Sequence, residues 1–232
     1  MTPSVRFALR YHRWIYSQIQ PFVKGRVLEI GMGHGLYTQF LSQNAREVVA
    51  TDIDQEVIDS AGQIVSAKNV TFRRLDLTDI QDLKNLEAER FDTVVCLNVL
   101  EHIEDDYRSV QGMANSLASG GHLIIDVPCD PRLYNALDSF AGHYRRYTPQ
   151  TLSKVLEKAG LHVTSLHYVN LLGAVGWWTY GRLFRPKSLA DDSVNFAAWF
   201  FDRVLVPVSM VVDTLTARSI AGQSLIGVGQ KP

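Results

Sequence analysis

The turn Glu29-Ile-Gly31-Met-Gly33-His-Gly35 carries the strongest chemical signal of this 232-residue chain. It lies between a short apolar run, Val27 to Ile30, and a helical pattern that starts at Leu36. Glycines at a strand-to-helix turn let the backbone come close to a ligand. Asp52 ends the next strand pattern, at the spacing where a carboxylate meets the hydroxyl pair of a ribose. Asp76 ends the third, where a short acid can accept from an adenine amino group. Each feature has a plainer reading on its own. The glycines could make only a tight turn, and the acids could be strand-end or capping carboxylates, the role expected of Asp54 and Asp79. Their order at successive strand ends points to one ligand carrying ribose and adenine. A P-loop is disfavoured because the turn has no lysine. A dinucleotide turn is disfavoured because Leu36 stands where GxGxxG needs its last glycine.

Positioning these groups takes alternating strands and helices. Residues 5–22 form a helical pattern, with Phe7, Tyr11, Trp14, Ile15, Ile19 and Phe22 on one stripe and Pro21 near its end. Strands are expected from Val27 to Ile30, Glu47 to Thr51, Val70 to Leu75, Phe91 to Leu97 and His122 to Val127. Helices are expected between them, over 36–44, 55–66, 79–88 and 105–118, with Ser119-Gly120-Gly121 closing the last. Thr148 and Pro149 suit the cap and first residue of another helix, and Gly160 the residue past its end. Leu161 to Val169 and Ser224 to Gly229 complete the strands. Near-continuous apolar strands alternating with helices mean a parallel sheet covered on both faces and joined by right-handed crossovers. The chain is therefore read as a single doubly wound α/β domain over 1–232, with a capping helix at 1–22 and a helical, aromatic-rich insertion at 170–220.

On these residues the chain resembles the class I S-adenosylmethionine-dependent methyltransferases of the small-molecule type. VLEIGMGHG, VVATDID, RRLDLTD and FDTVVCLNVLEHI keep the order and spacing of that family's motifs over about residues 20–169. The resemblance implies a Rossmann-like sheet of seven strands in the order 3-2-1-4-5-7-6, the seventh antiparallel and formed by Ser224 to Gly229. It implies S-adenosylmethionine as cofactor and S-adenosylhomocysteine as product. By the family's pattern, Glu29 and the backbone of Gly31, Gly33 and Gly35 surround the methionine part. Asp52 takes the ribose hydroxyls and Ile53 lies against the adenine. Asp76 and Leu77 bind the adenine edge, and the Asn98 carbonyl its amino group. This cofactor has no phosphate, which agrees with the lysine-free turn.

Methyl transfer is an in-line displacement at a sulfonium carbon, and aligning acceptor with methyl supplies much of the rate. An oxygen or nitrogen acceptor also gains from a general base. Ligand crevices open at strand carboxyl ends, so the candidates come from the loops there, the N-terminal helix and the insertion. His102, just after the fourth strand, is a candidate base or positioning group; the alternative is a loop histidine with local hydrogen bonds. His143 and Tyr144 lie in Gly142-His-Tyr-Arg-Arg-Tyr-Thr148, which resembles a GHxRRYT stretch of some bacterial family members, and could face the methyl. Arg145 and Arg146 could bind an anionic acceptor group, or belong to a solvated basic turn with packed tyrosines. Tyr11 and Trp177 are expected to contact the acceptor. Glu101, Glu104, Asp105 and Asp106 fit the N-terminus of the next helix better than a metal cluster, and no metal is expected. Cys129 reads as a small buried thiol, because the Pro-Cys that C5-pyrimidine methyltransferases carry after the fourth strand is missing. Asn98-Val-Leu-Glu101 also lacks the N/D-P-P-Y motif of enzymes acting on DNA bases.

Composition narrows the classes further. Apolar residues make up 46% and charged residues 20%, which excludes a disordered chain, and a net charge of −1 gives no footprint for duplex nucleic acid. Two cysteines make no disulfide scaffold. The first residues lack the apolar core of a signal peptide, and no run reaches the ~18 apolar residues of a spanning helix, so a cytoplasmic location is expected. The insertion gathers Trp177, Trp178, Tyr180, Phe184, Phe196, Trp199, Phe200 and Phe201. It is read as a cap on the sheet and on Trp14, as the wall of an apolar acceptor pocket, or as a homodimer face or membrane contact. The reading that results is methyl transfer to a small-molecule acceptor, at oxygen of an apolar or aromatic metabolite. Alternatives are N-methylation, a non-catalytic cofactor-binding partner, and an NAD-binding oxidoreductase, which Leu36 and Asp76 oppose.

Overall fold

A computed structural model describes residues 8–183, 201–216 and 218–232. Seven strands form one sheet: β1 (Arg26–Ile30), β2 (Glu47–Asp52), β3 (Val70–Arg74), β4 (Phe91–Leu97), β5 (Leu117–Pro128), β6 (His162–Val169) and β7 (Ser224–Gln230). Their order is β3-β2-β1-β4-β5-β7-β6. The pairs β1–β2, β2–β3, β1–β4 and β4–β5 are parallel, whereas β7 runs antiparallel to both β5 and β6. This is the Rossmann-like doubly wound sheet expected, and the chain direction across it reverses between β1 and β4. A crevice opens at such a switch point, outside the carboxyl ends of the strands.

Strand periodicity builds one core on each face. Leu28, Val49, Val94, Cys96, Leu123 and Ile125 point to one side. There they meet Leu83 and Leu86 of α4 (Ile80–Glu87), Val110 and Met113 of α5 (Asp106–Asn115), and Leu152 and Leu156 of α7 (Pro149–Lys158). Val27, Val48, Ala50, Val95, Leu97 and Ile124 point to the other. There they meet Trp14, Ile15 and Ile19 of α1 (Leu9–Ile19), Leu41 of α2 (Leu36–Ser42), and Ile58 and Ala61 of α3 (Gln55–Ile64). Each fully buried side chain of this kind is worth about 1.5–3 kcal/mol.

Several boundaries shift from the sequence reading, for local reasons. The helix read over 5–22 is α-helical only to Ile19; Pro21 sits in a 3-10 turn, Gln20–Phe22, because it has no N–H to continue the ladder. Phe7 lies outside the described residues. Helix α5 stops at Asn115, and Ser119-Gly120-Gly121 is part of β5 rather than a helix stop. Gly120 takes φ +74° there, and the register against β4 shifts between Phe91 and Thr93. A short helix absent from the sequence reading, α6 (Ala136–Phe140), is held by a capping box between Asn135 and Asp138. Asp54, Asp79 and Thr148 cap their helices as expected. In the insertion, α8 (Leu171–Leu183), a π-helical turn (Phe201–Leu205) and α9 (Val206–Leu215) are described. Phe184, Phe196, Trp199 and Phe200 lie outside the described residues. Among the described residues no helix is long and apolar enough to cross a membrane.

Candidate active site

The turn after β1 is built from backbone. Gly31, Gly33 and Gly35 have φ of +69°, +53° and +76°, a region that side chains with a Cβ avoid. A Cβ on Gly31 would run into Val99 Cγ2, and one on Gly35 would come within 2.6 Å of Val65 Cγ2. A Cβ on Gly33 would meet nothing within 4 Å, so that residue faces open space. The Gly33 N–H donates to Asp52 Oδ2 at 3.0 Å, and Oδ1 of the same carboxylate accepts from Asp54 N at 3.1 Å. The end of β2 thus holds the turn in shape. Glu29, 3% exposed, accepts from the Thr38 hydroxyl at 2.6 Å, and burial pushes its carboxyl up to about 7.

These groups line a cavity of about 330 Å³. Glu29, Gly31, Met32, Gly33 and Leu36 form one side; His12 of α1 and Tyr37 of α2 form another, joined by a 3.0 Å contact between His12 Nδ1 and the Tyr37 hydroxyl. Ile53, the residue after β2, is a large apolar side chain 56% exposed. Asp76 accepts from the Thr78 N–H and hydroxyl at 2.8 and 2.6 Å, and these bonds hold its carboxyl low. Asn98, at φ +54° after β4, donates from its backbone to Asp126 O at 2.8 Å and from Nδ2 to Asp126 Oδ2 at 3.4 Å. The cradle fits S-adenosylmethionine: glycine backbone open to the cavity, a buried acid, and a strand-end carboxylate on the next strand.

A second group assembles at the carboxyl ends of β4 and β5. His102 lies in the 3-10 turn Leu100–His102, and His143 in the loop between α6 and α7. Their rings meet edge to face with centroids 4.7 Å apart. The loop is fastened by Tyr144 N–H to Glu101 O at 2.8 Å and Tyr147 N–H to Pro128 O at 2.9 Å. His143 Nδ1 lies 3.0 Å from Asp138 Oδ1. Asp138 is completely buried, and it also takes Arg146 Nε at 2.9 Å, Asn135 N at 3.0 Å and Trp177 Nε1 at 3.4 Å. Burial works against its charge, but His143 and Arg146 outweigh it and hold the carboxyl below its ordinary value. Arg146 is 5% exposed, donates to Cys129 O at 3.1 Å, and lies over the Trp177 ring at 5.1 Å. Burial first, and His143 second, lower His102 to about 4, so its ring is neutral at pH 7.

The structure therefore brings His102, His143, Arg146 and Trp177 into one corner. Tyr144 is exposed beside them and shares a cavity of about 290 Å³ with Leu77 and His102. Arg145 points away, onto Asp106 Oδ2 at 2.9 Å and Glu104 O at 2.6 Å. Tyr11 is buried against Trp14 and Phe201, with Ser224 as hydrogen-bond partner and Asp126 nearby. Asp105 caps α5, but Glu101, read with it as a helix-end acid, is 1% exposed instead. Burial pushes Glu101 up to about 8, and its Oε2 makes no hydrogen bond among the described residues. The Cys129 thiol is buried, donates to Gly222 O at 2.6 Å, and is pushed up to about 12 by burial.

Sequence reasoning missed His12, Tyr37, Asp126 and Asp138. Asp126 had a visible signal, an acid inside the apolar run Leu123 to Val127; burial pushes it up to about 7. Asp138 had one too, four residues into a segment that begins with the capping residue Asn135.

Comparison with known proteins agrees with this fold. A family model described as a methyltransferase domain matches residues 9–166. The chain is 29% identical over 184 residues to the ubiquinone biosynthesis O-methyltransferase of Alkalilimnicola ehrlichii, covering 75% of this chain and 72% of that one. It is 25% identical over 172 residues to the protein of the same name from Coxiella burnetii, covering 66% and 72%. Its fold is similar to a SAM-dependent methyltransferase from Archaeoglobus fulgidus (TM-score 0.62, 18% identity, 96% of this chain and 94% of that one). It is similar also to the N-methyltransferase NodS from Bradyrhizobium japonicum WM9 in complex with S-adenosylhomocysteine (TM-score 0.60, 18% identity, 96% and 86%).

Proposed function

The chain belongs to the methyltransferase-domain family and is a class I S-adenosylmethionine-dependent methyltransferase, and from that premise we propose that it methylates a hydroxyl oxygen of an apolar or aromatic small molecule. The bound cofactor supplies a methyl group on an already activated sulfur. Glu29 and the glycine backbone hold its methionine part, Asp52 the ribose hydroxyls, Ile53 the adenine face, and Asp76, Leu77 and Asn98 the adenine edge. The remaining work is to place the acceptor oxygen in line with the methyl and to remove its proton.

The observation that carries the reading is the buried Asp138 bonded to a half-buried His143 whose ring meets His102. Asp138 fixes the His143 ring and favours the tautomer with Nδ1–H toward the carboxylate, leaving Nε2 to take a proton from a hydroxyl. Arg146 acts on the acceptor only through Asp138, so it is a positioning residue here. Trp177, bonded to Asp138, and Tyr144, beside His102, supply aromatic wall to the corner. The names of the relatives, ubiquinone biosynthesis O-methyltransferases, favour oxygen.

The test uses methyl-labelled S-adenosylmethionine and a panel of hydroxylated aromatics, with and without an apolar tail, beside their amine analogues. Label should enter the hydroxylated compounds and partition into organic solvent. His143→Ala should lower kcat by about 10²–10⁴-fold with cofactor affinity unchanged. Label on the amines alone would reverse the choice of oxygen, and an unaltered kcat in His143→Ala would remove the base.

A further inference from the structure

The corner around His143 holds more than a base needs. Glu101, His102 and His143 each offer one ligand atom, and all three atoms lie within 4.8 Å of one another. Donors of a tetrahedral zinc ion stand about 3.3 Å apart, given bonds of about 2.0–2.1 Å to nitrogen and oxygen, a difference that rotation about side-chain bonds covers. The Glu101 carboxylate is buried and has an oxygen with no hydrogen bond among the described residues. A buried polar atom left unsatisfied costs about 1–3 kcal/mol, so such an atom needs a ligand to explain it. Both imidazoles also have a hydrogen-bond partner of their own. His143 Nδ1 is on Asp138, and His102 hydrogen-bonds the Gly142 backbone. A carboxylate or carbonyl bonded to a histidine ring is the kind of support that orients such ligands toward a metal.

We propose that Glu101, His102 and His143 form a site for a divalent transition-metal ion of the zinc type. Two imidazoles and one carboxylate suit zinc or a neighbouring first-row ion better than magnesium, which prefers oxygen ligands. Three protein ligands leave a position open, as in catalytic rather than structural zinc sites. Resting on the methyl-transfer reading, that position takes the acceptor oxygen. The oxygen then binds as its anion, its O–H proton goes to solvent, and no electron changes hands. The ion, not a free imidazole, would then do the deprotonation.

The test is titration of the EDTA-treated full chain with Co²⁺, read by its visible absorption when bound by imidazole and carboxylate. One equivalent should bind and be displaced by Zn²⁺. His102→Ala and His143→Ala should lose the absorption, Glu101→Gln should weaken binding by at least about 100-fold, and Asp138→Asn should weaken it by about 10–100-fold. Calorimetric binding of S-adenosylmethionine certifies that each variant is folded. No absorption in the parent, or equal binding in Glu101→Gln, overturns the site. Undiminished methyl transfer by the EDTA-treated protein overturns the ion's part in the reaction and leaves the O-methylation reading with His143 as base. Binding of one Co²⁺ by a protein that transfers no methyl to any hydroxyl does the reverse.

Discussion

The two halves of the active site each bury a carboxylate, and they treat it in opposite ways. Glu29, beside the glycine turn, accepts from the Thr38 hydroxyl, and burial pushes it up to about 7. Asp138, in the histidine corner, has Arg146, His143, Trp177 and a backbone N–H, and is held below its ordinary value. The protein neutralises Asp138 itself. At Glu29 it leaves the counter-charge to be brought in, which fits a site for the cationic methionine end of a cofactor. Glu29 is thus left for a ligand to complete, whereas Asp138 is satisfied by the protein itself.

Asp138→Ala breaks the comparison on the side where the protein has most to lose. It strands the buried Arg146 guanidinium, and removing one partner of such a pair costs about 3–5 kcal/mol. At about 2–4 °C per kcal/mol for a domain of this size, the melting temperature should fall by roughly 6–20 °C. Affinity of the folded fraction for S-adenosylmethionine should stay within about twofold of the parent, since additivity holds for separate sites. A stability loss under about 1 kcal/mol would mean that Arg146 finds another partner.

Asp52→Ala should do the converse. Two charged hydrogen bonds to ribose hydroxyls, at about 1.5–3 kcal/mol each, put the loss of cofactor affinity at about 100-fold or more, with a smaller loss of stability than in Asp138→Ala from the Gly33 and Asp54 N–H bonds it gives up. Calorimetry showing the variant binding as tightly as the parent would remove Asp52 from the site.

Glu29→Gln leaves the parent's stability unchanged at low pH and is the sharpest in sign. The folded pKa of Glu29, about 7, stands above its ordinary 4.5, so the folded state holds the proton more tightly. The stability this confers is whole below about pH 4.5 and is lost as pH rises toward 7. Glutamine does not ionise, so the variant should gain on the parent with rising pH, by on the order of 3 kcal/mol at most near pH 8. Urea unfolding across that range checks it; a gap that does not widen means Glu29 already has a counter-charge.

The same contrast explains what the sequence made legible. The cofactor half is local: Gly31 to Gly35 and Asp52 sit at the ends of adjacent strands, and glycine spacing with a strand-end acid encodes the geometry. Alternating apolar faces encode the strands equally well, as Val27 and Leu28 show by entering opposite cores. The acceptor half draws on Glu101, Asp138, His143, Arg146 and Trp177, whose burial depends on partners far along the chain. His102 and His143 could be singled out by type, but not their contact, and nothing local marks Asp138 as the centre. The boundary between α5 and β5 was misread because Gly120 and Gly121 stop a helix as readily as they bulge a strand.

Strand β7 lies between β5 and β6, yet it is made after both. A ribosome that has already released β6 has given it no neighbour, because its only partner in the sheet is still to come. The parallel strands β1 to β4 can assemble as they emerge, but β5 and β6 wait with open edges until Ser224–Gln230 slides in, pairing with residues some hundred positions earlier. Closure of such distant pairs is slow, and exposed edges in the interval invite pairing with other chains. The middle of this half of the sheet is thus filled after both of its sides, like a keystone set between two standing stones.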